Sequence, residues 1–380
     1  MTSFSCQHHS ASLRIFLVFV ILLLNAPAGL CSCCKRIFSF GDSIIDTGNY
    51  ANGPSMEFPF GMTYFKRPTG RISDGRVLID FYAQALQLPL IPPNLPDKDT
   101  EQLQKTANLI PISFLGEKKI KNELQQSTQS FLNFLATLKN SLPPLLGSTA
   151  MPNDYFNKWN HSVPMWCHLG MQMGWFKDLL HRIAPKDASL IIVLGEIGGN
   201  DYNFWFHGNR AREEAGQFIP DIMAIIGSSI QDLIRMGAKV IMIPNNFPIG
   251  CVPKYLRDYK SANRADYDEH GCLRWFNDFS QRHNQALRGV VDRLSAQNPG
   301  VKLIYADYVG AAMEFVKNPH RFGIGDPLTA CCGGDEQPYH TNKGGFANWD
   351  GVHTTEKAYE VISQGVLNGP FANPPLLRTC

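Results

Sequence analysis

Three short stretches carry side chains that could do chemistry together. Phe40-Gly41-Asp42-Ser43 places a serine hydroxyl just past an apolar run, behind a glycine that permits a tight turn. Asp350-Gly351-Val352-His353 sets a carboxylate three residues before an imidazole. A short turn there lets the carboxylate accept from Nδ1–H, which leaves Nε2 as a base for a serine. Gly198-Gly199-Asn200-Asp201 offers a side-chain amide on a Gly-rich turn, suited to donate to a developing oxyanion. Each stretch also has an ordinary structural reading. Asp42 or Ser43 can cap a helix, and Thr354 or Thr355 can do the same with His353 as a bystander. The Gly-Gly-Asn run can be a plain β-turn. Jointly they supply nucleophile, base, orienting acid and oxyanion donor, the set needed for acyl transfer through a serine.

Such groups need elements to position them. Apolar runs at Arg36–Phe40, Ala188–Leu194, Ala238–Ile243 and Val301–Ala306 read as strands. Helical periodicity falls between them, at Val77–Leu88, Asn122–Leu138, Met171–Ile183, Glu213–Met236, Arg274–Leu294 and Thr354–Leu367. Short buried strands separated by helices predict a three-layer α/β/α sandwich around a central parallel sheet. In such sheets ligands bind beyond the carboxyl ends of the strands. Ser43 and Asn200 follow two strands directly, where that fold puts a site. No G-x-S-x-G elbow, H-E-x-x-H zinc motif or phosphate-binding loop is present, so those hydrolase and nucleotide classes are disfavoured.

Taken along the chain, the motifs resemble the plant GDSL esterase/lipases of the SGNH hydrolase superfamily, in the branch with sinapine esterase-like and acetylajmalan esterase-like enzymes. The likeness rests on Ile37–Asn49, Phe60–Arg76, Gly195–Asn203, Asn246–Cys251, Tyr267–Cys272 and Trp349–His353. It implies the SGNH, flavodoxin-like version of the α/β/α fold. It also implies Ser43 as nucleophile, His353 as general base and then acid, and Asp350 as its orienting partner. The Ser43 backbone N–H and the Asn200 side chain become oxyanion donors, no metal or organic cofactor is required, and the partner is a small-molecule ester. One block departs from the pattern. The family has a glycine soon after its second-block Asn, whereas Asn108 to Ser113 contains none and includes Pro111, which lacks an N–H. The stretch Cys331 to Trp349 is also short for the family, which leaves the pairing of Cys331 and Cys332 open. An acyltransferase using the same triad, or an impaired homologue that binds ligand without turnover, therefore stand as alternatives.

Residues Ile15–Leu24 form an apolar run flanked by Arg14 and followed by Ala26, Ala28 and Gly29. This is the plan of a secretory signal peptide, and the run is shorter than the roughly 20 residues a membrane span needs. A signal peptide over 1–31 and one domain over 32–380 are expected, with export to the cell exterior or vacuole. Cleavage falls after Ala28 or Cys31. In that oxidising route some of the ten cysteines should pair, with Cys251 and Cys272 a plausible loop-closing pair. Asn160-His161-Ser162 is a glycosylation sequon. Lys and Arg total 35 against 33 Asp and Glu, so the net charge of +2 offers no basic excess for nucleic acid. Trp159, Trp166, Trp175, Trp205 and Phe206 could line an acyl or aryl pocket, but core packing is the preferred reading. Oligomeric state is not legible.

Overall fold

The computed structural model describes residues 36–49, 57–92, 106–108, 147–164, 167–183, 190–208, 210–332 and 345–379. Strands β1 (Arg36–Phe40), β2 (Thr106–Asn108), β3 (Leu190–Leu194), β4 (Val240–Pro244), β5 (Lys302–Ala306) and β8 (Ala372–Asn373) form one sheet. Their order is β2-β1-β3-β4-β5-β8. The first five are parallel and β8 pairs antiparallel at the edge. A two-stranded parallel ribbon, β6 (Asp326–Ala330) with β7 (Phe346–Asn348), lies outside it.

Strand periodicity sends alternate side chains to opposite faces. Phe38, Phe40, Ile192, Leu194, Ile241 and Ile243 join one buried cluster with helices α2 (Leu169–Ile183), α3 (Gly199–His207), α4 (Ile219–Arg235) and α6 (Arg274–Gln297). Ile37, Ile191, Val193, Met242 and Ile304 join another with α1 (Leu78–Ala85), α7 (Tyr308–Lys317) and α8 (Glu356–Asn368). The short α5 (Pro253–Asp258) and α9 (Leu376–Thr379) complete the described helices. The fold is thus the expected α/β/α sandwich. On α6 the buried residues Phe276, Phe279, His283, Leu287, Val290 and Leu294 recur at three- and four-residue steps, so one stripe faces the sheet.

Several boundaries shift for clear reasons. Glu213–Met236 is not one helix: a 3₁₀ segment, Arg212–Phe218, precedes α4. Pro220 has no N–H to give and fits only in a first helical turn, so the α-helix begins there. The run Gly199-Asn200-Asp201 is not a plain turn but the start of α3, with Gly198 at φ 106° as its N-cap. The expected helix Asn122–Leu138 lies outside the described residues, as do positions 188–189 of the second strand. Cys251 and Cys272 are disulfide-bonded, as their spacing suggested, and the vicinal Cys331 and Cys332 are bonded to each other. Cys167 is free and buried. Among the described residues no helix is long and apolar enough to cross a membrane.

Candidate active site

The strand order reverses direction at β1 and β3, and the site lies at their carboxyl ends. Phe40 pairs with Leu194 at the end of this ladder, so the turns beginning at Gly41 and Gly195 emerge side by side. Gly195 donates its N–H to the Phe40 carbonyl at 2.8 Å, and a methyl on Gly41 would stand 3.1 Å from the Gly195 Cα. The close approach, together with φ 130° at Gly41, explains why glycine is needed before Asp42-Ser43.

The C-terminal motif reaches Ser43 from another part of the chain. Trp349 donates its backbone N–H to the His353 carbonyl at 2.7 Å and buries its indole completely, closing a turn over residues 349–353. Inside that turn Asp350 Oδ2 lies 2.7 Å from His353 Nδ1. Asp350 Oδ1 accepts the backbone N–H groups of Val352 and His353 at 3.1 and 2.8 Å. On the other side of the ring, His353 Nε2 lies 2.7 Å from Ser43 Oγ. Thr355 does cap α8 through Ala358 N–H, so the cap reading is correct for Thr355 and wrong in making His353 a bystander.

Burial and charge oppose each other at this dyad. Burial alone would lower His353, but the Asp350 charge and hydrogen bond hold it above the ordinary histidine value. Burial alone would raise Asp350, but His353 and the N–H donors together keep it below the usual carboxylate range. The arrangement can therefore stabilise an imidazolium.

Asn200 stands at the same mouth, with its amide anchored rather than free. Nδ2 donates to Asp42 Oδ2 at 2.9 Å and to the Ser148 carbonyl at 3.3 Å, while Oδ1 accepts from Asn203 Nδ2 at 3.0 Å. A glycine stands against this amide. Asn108 sits on the edge strand β2, residues 109–146 lie outside the described set, and Gly147 follows directly at φ 92°. A methyl on Gly147 would lie 2.4 Å from Asn200 Cγ and Nδ2. Only glycine lets the chain pass so close to the amide. The stretch Asn108 to Ser113 still holds no glycine, and the glycine beside Asn200 is Gly147. Asp201 secures that passage by accepting Ala150 and Met151 N–H at 2.7 and 2.9 Å.

A side chain that sequence reading missed braces the serine turn. Gln172 on α2 is fully buried; its Oε1 accepts Gly41 N–H at 2.9 Å and its Nε2 donates to the Gly41 carbonyl at 2.8 Å. Nothing local could have found a partner 131 residues away.

Ser43, His353 and Asn200 open onto one shared cleft. Its remaining wall is mostly apolar: Phe247, Pro248, Ile249, Val252, Phe315 and Val316 contribute, and no Lys or Arg lines it among the described residues. Trp159, Trp175, Trp205 and Phe206 do not line it, and Trp166 lies outside the described residues. Trp159 and Trp205 instead pack edge to face with each other and with Phe218, in agreement with the core reading. No group of three His, Cys, Asp or Glu side chains among the described residues could hold a metal ion.

Fold and site define an α/β/α hydrolase whose serine, histidine and aspartate converge at the sheet's switch point. The chain matches the family profile described as GDSL-like Lipase/Acylhydrolase over residues 37–366. It is 36% identical over 403 aligned positions to the GDSL esterase/lipase At1g28600 of Arabidopsis thaliana, covering 97% of this chain and 93% of that protein. It is 35% identical over 398 positions to At2g27360 of the same species, covering 97% and 93%. It is 33% identical over 401 positions to the sinapine esterase of Brassica napus, covering 96% and 94%. The chain belongs to the GDSL esterase/lipase family and is a carboxylic ester hydrolase.

Proposed function

We propose that the protein hydrolyses a neutral carboxylic ester through an acyl-enzyme on Ser43. The observation that carries this is the unbroken contact Ser43 Oγ to His353 Nε2 to Asp350, at 2.7 Å for each link. His353 removes the serine proton as Oγ attacks the ester carbonyl, and Asp350 stabilises the imidazolium. His353 then protonates the leaving alcohol. A water activated by the same Nε2 attacks the acyl-enzyme, and Ser43 is released with the acid.

The tetrahedral oxyanion takes donors from the Ser43 backbone N–H, the Gly147 backbone N–H and Asn200 Nδ2. The 3.3 Å bond from Asn200 to the Ser148 carbonyl is the weaker of its two and is the one exchanged for the substrate oxygen. The largely apolar wall and the lack of lining Lys or Arg favour uncharged acyl groups over those carrying a carboxylate. Sinapine, which the name of the Brassica napus relative cites, belongs in the test panel beside short- and long-chain esters.

A fluorophosphonate serine probe and p-nitrophenyl esters test this reading. Labelling and hydrolysis are expected in the natural protein and absent in Ser43→Ala. A folded natural protein that neither labels nor hydrolyses, or a Ser43→Ala variant with full activity, defeats it. The apolar segment at residues 15–24 supports export through the secretory pathway to the exterior or vacuole, with a glycan on Asn160. Asn160 is exposed at the end of a 3₁₀ segment. Its glycan is read as a mass decrease on enzymatic deglycosylation of the expressed protein, and its absence there refutes that part.

A further inference from the structure

Two buried carboxyls lie beside the nucleophile and take no part in these proton transfers. Asp42 is 3% exposed and Glu196 is 5% exposed. Asp42 Oδ1 accepts Ile44 N–H at 3.0 Å and Oδ2 accepts Asn200 Nδ2 at 2.9 Å. Glu196 Oε1 accepts Gly199 N–H at 3.0 Å, one residue before Asn200, so the two buried carboxyls bracket the same turn and each disfavours ionisation of the pair. A methyl on Gly199 would fall 2.7 Å from both Glu196 oxygens, so the carboxyl is pressed flat on the turn that presents Asn200.

Two neighbouring buried carboxylates repel and can only accept hydrogen bonds, so the pair is best held with one proton, which lets one carboxyl donate to the other. Among the described residues no Lys or Arg lines the cleft beside the pair. The titratable groups among the described residues that act on the pair are His353, Asp201 and the hydroxyls of Tyr202, Tyr255, Tyr308 and Tyr359. His353 already serves Asp350. Asp42 receives two N–H donors besides the carboxyl contact and Glu196 receives one, so the negative charge is better placed on Asp42.

We propose that Glu196 acts as a neutral carboxylic acid donating to Asp42, and that this one-proton pair holds the Asn200 amide and the Ser43 turn in catalytic register. Glu196 is a positioning residue for the hydrolysis, and the proposal rests on the reading of Ser43 as nucleophile. Burial raises both carboxyls, Glu196 the further.

The test compares Glu196→Gln with Glu196→Ala on a p-nitrophenyl ester, with infrared spectroscopy of the natural protein and of Glu196→Gln without substrate. Gln keeps a neutral donor toward Asp42 and an acceptor for Gly199, so kcat should remain within a few-fold of the natural protein. Ala should lose about 10²-fold in kcat with little change in KM, as the loss of an oriented oxyanion donor does. The natural protein should show the carbonyl stretch of a protonated carboxylic acid at neutral pH, and Glu196→Gln should lose it. If Gln is as damaging as Ala, or that band does not depend on Glu196, the idea is overturned. Should Ala fail to fold, the Gln variant and the band decide alone. The band needs no turnover, so it separates this proposal from failure of the Ser43 reading, which the fluorophosphonate probe reports.

Discussion

At the scale of single residues, the chemistry depends on how three side chains change each other's protonation. Asp350 raises His353, so the base is protonated over a wider range than a free histidine. The rate should therefore fall on acidification with a midpoint above the ordinary histidine value of about 6.5. The corresponding stability term runs with its own sign. A histidine raised by folding contributes fully below its unfolded value, and that contribution fades as pH rises through the folded value. Asp350→Asn should remove the stabilising charge and lower kcat by about 10⁴-fold, with the acid limb of the pH–rate profile moving down. A profile that keeps its midpoint in this variant would show that Asp350 does not set the His353 protonation. Ser43, Asp350 and His353 were legible because each type is needed by one step of acyl transfer and two of them are three residues apart. Gln172 and Gly147 were not, because their meaning is a contact and not a pattern.

Elements decide whether those side chains meet. The strands β1, β3, β4 and β5 could be read directly, since continuous apolar runs such as Leu190–Leu194 suit only a position buried on both faces. The edge strands β2 and β8 escaped, being three and two residues long, too short for any periodicity. Helix α2 matters beyond its packing because it carries Gln172 to Gly41. Gln172→Leu would leave a buried N–H and a buried carbonyl unpaired at the nucleophile turn, at a cost of about 1–3 kcal/mol for each such group. Urea unfolding should show a lowered midpoint and a loss of unfolding free energy of that size, and kcat should fall more than KM rises, because the turn and not the cleft wall is loosened. An unchanged unfolding midpoint would mean that the clamp adds nothing to stability.

For the whole molecule, the question is how a cleft wall assembled from distant segments keeps its shape. Phe247 to Val252 follow β4, and the disulfide from Cys251 reaches Cys272 just before α6. The bridge closes a loop of 21 residues, which by chain-entropy reasoning stabilises the fold by about 3 kcal/mol. The double variant Cys251→Ala/Cys272→Ala should lose about that much in chemical denaturation. Its KM for apolar esters should rise more than its kcat falls, since Cys251 lines the cleft away from the dyad. Loss of kcat alone would place the bridge's influence on the dyad instead.

The residue order by itself determined the fold class and the family and singled out Ser43, Asn200, Asp350 and His353 as candidates, because periodicity and short motifs are local properties of a chain. Only the tertiary structure decided that Gly147, 39 residues beyond Asn108, stands against Asn200, and that the buried carboxyls of Asp42 and Glu196 bracket the turn that carries that amide. The physical reason is the same for both. A glycine's use and a carboxyl's proton depend on which atoms lie within a few ångströms, and in this chain those atoms come from segments that only the sheet brings together.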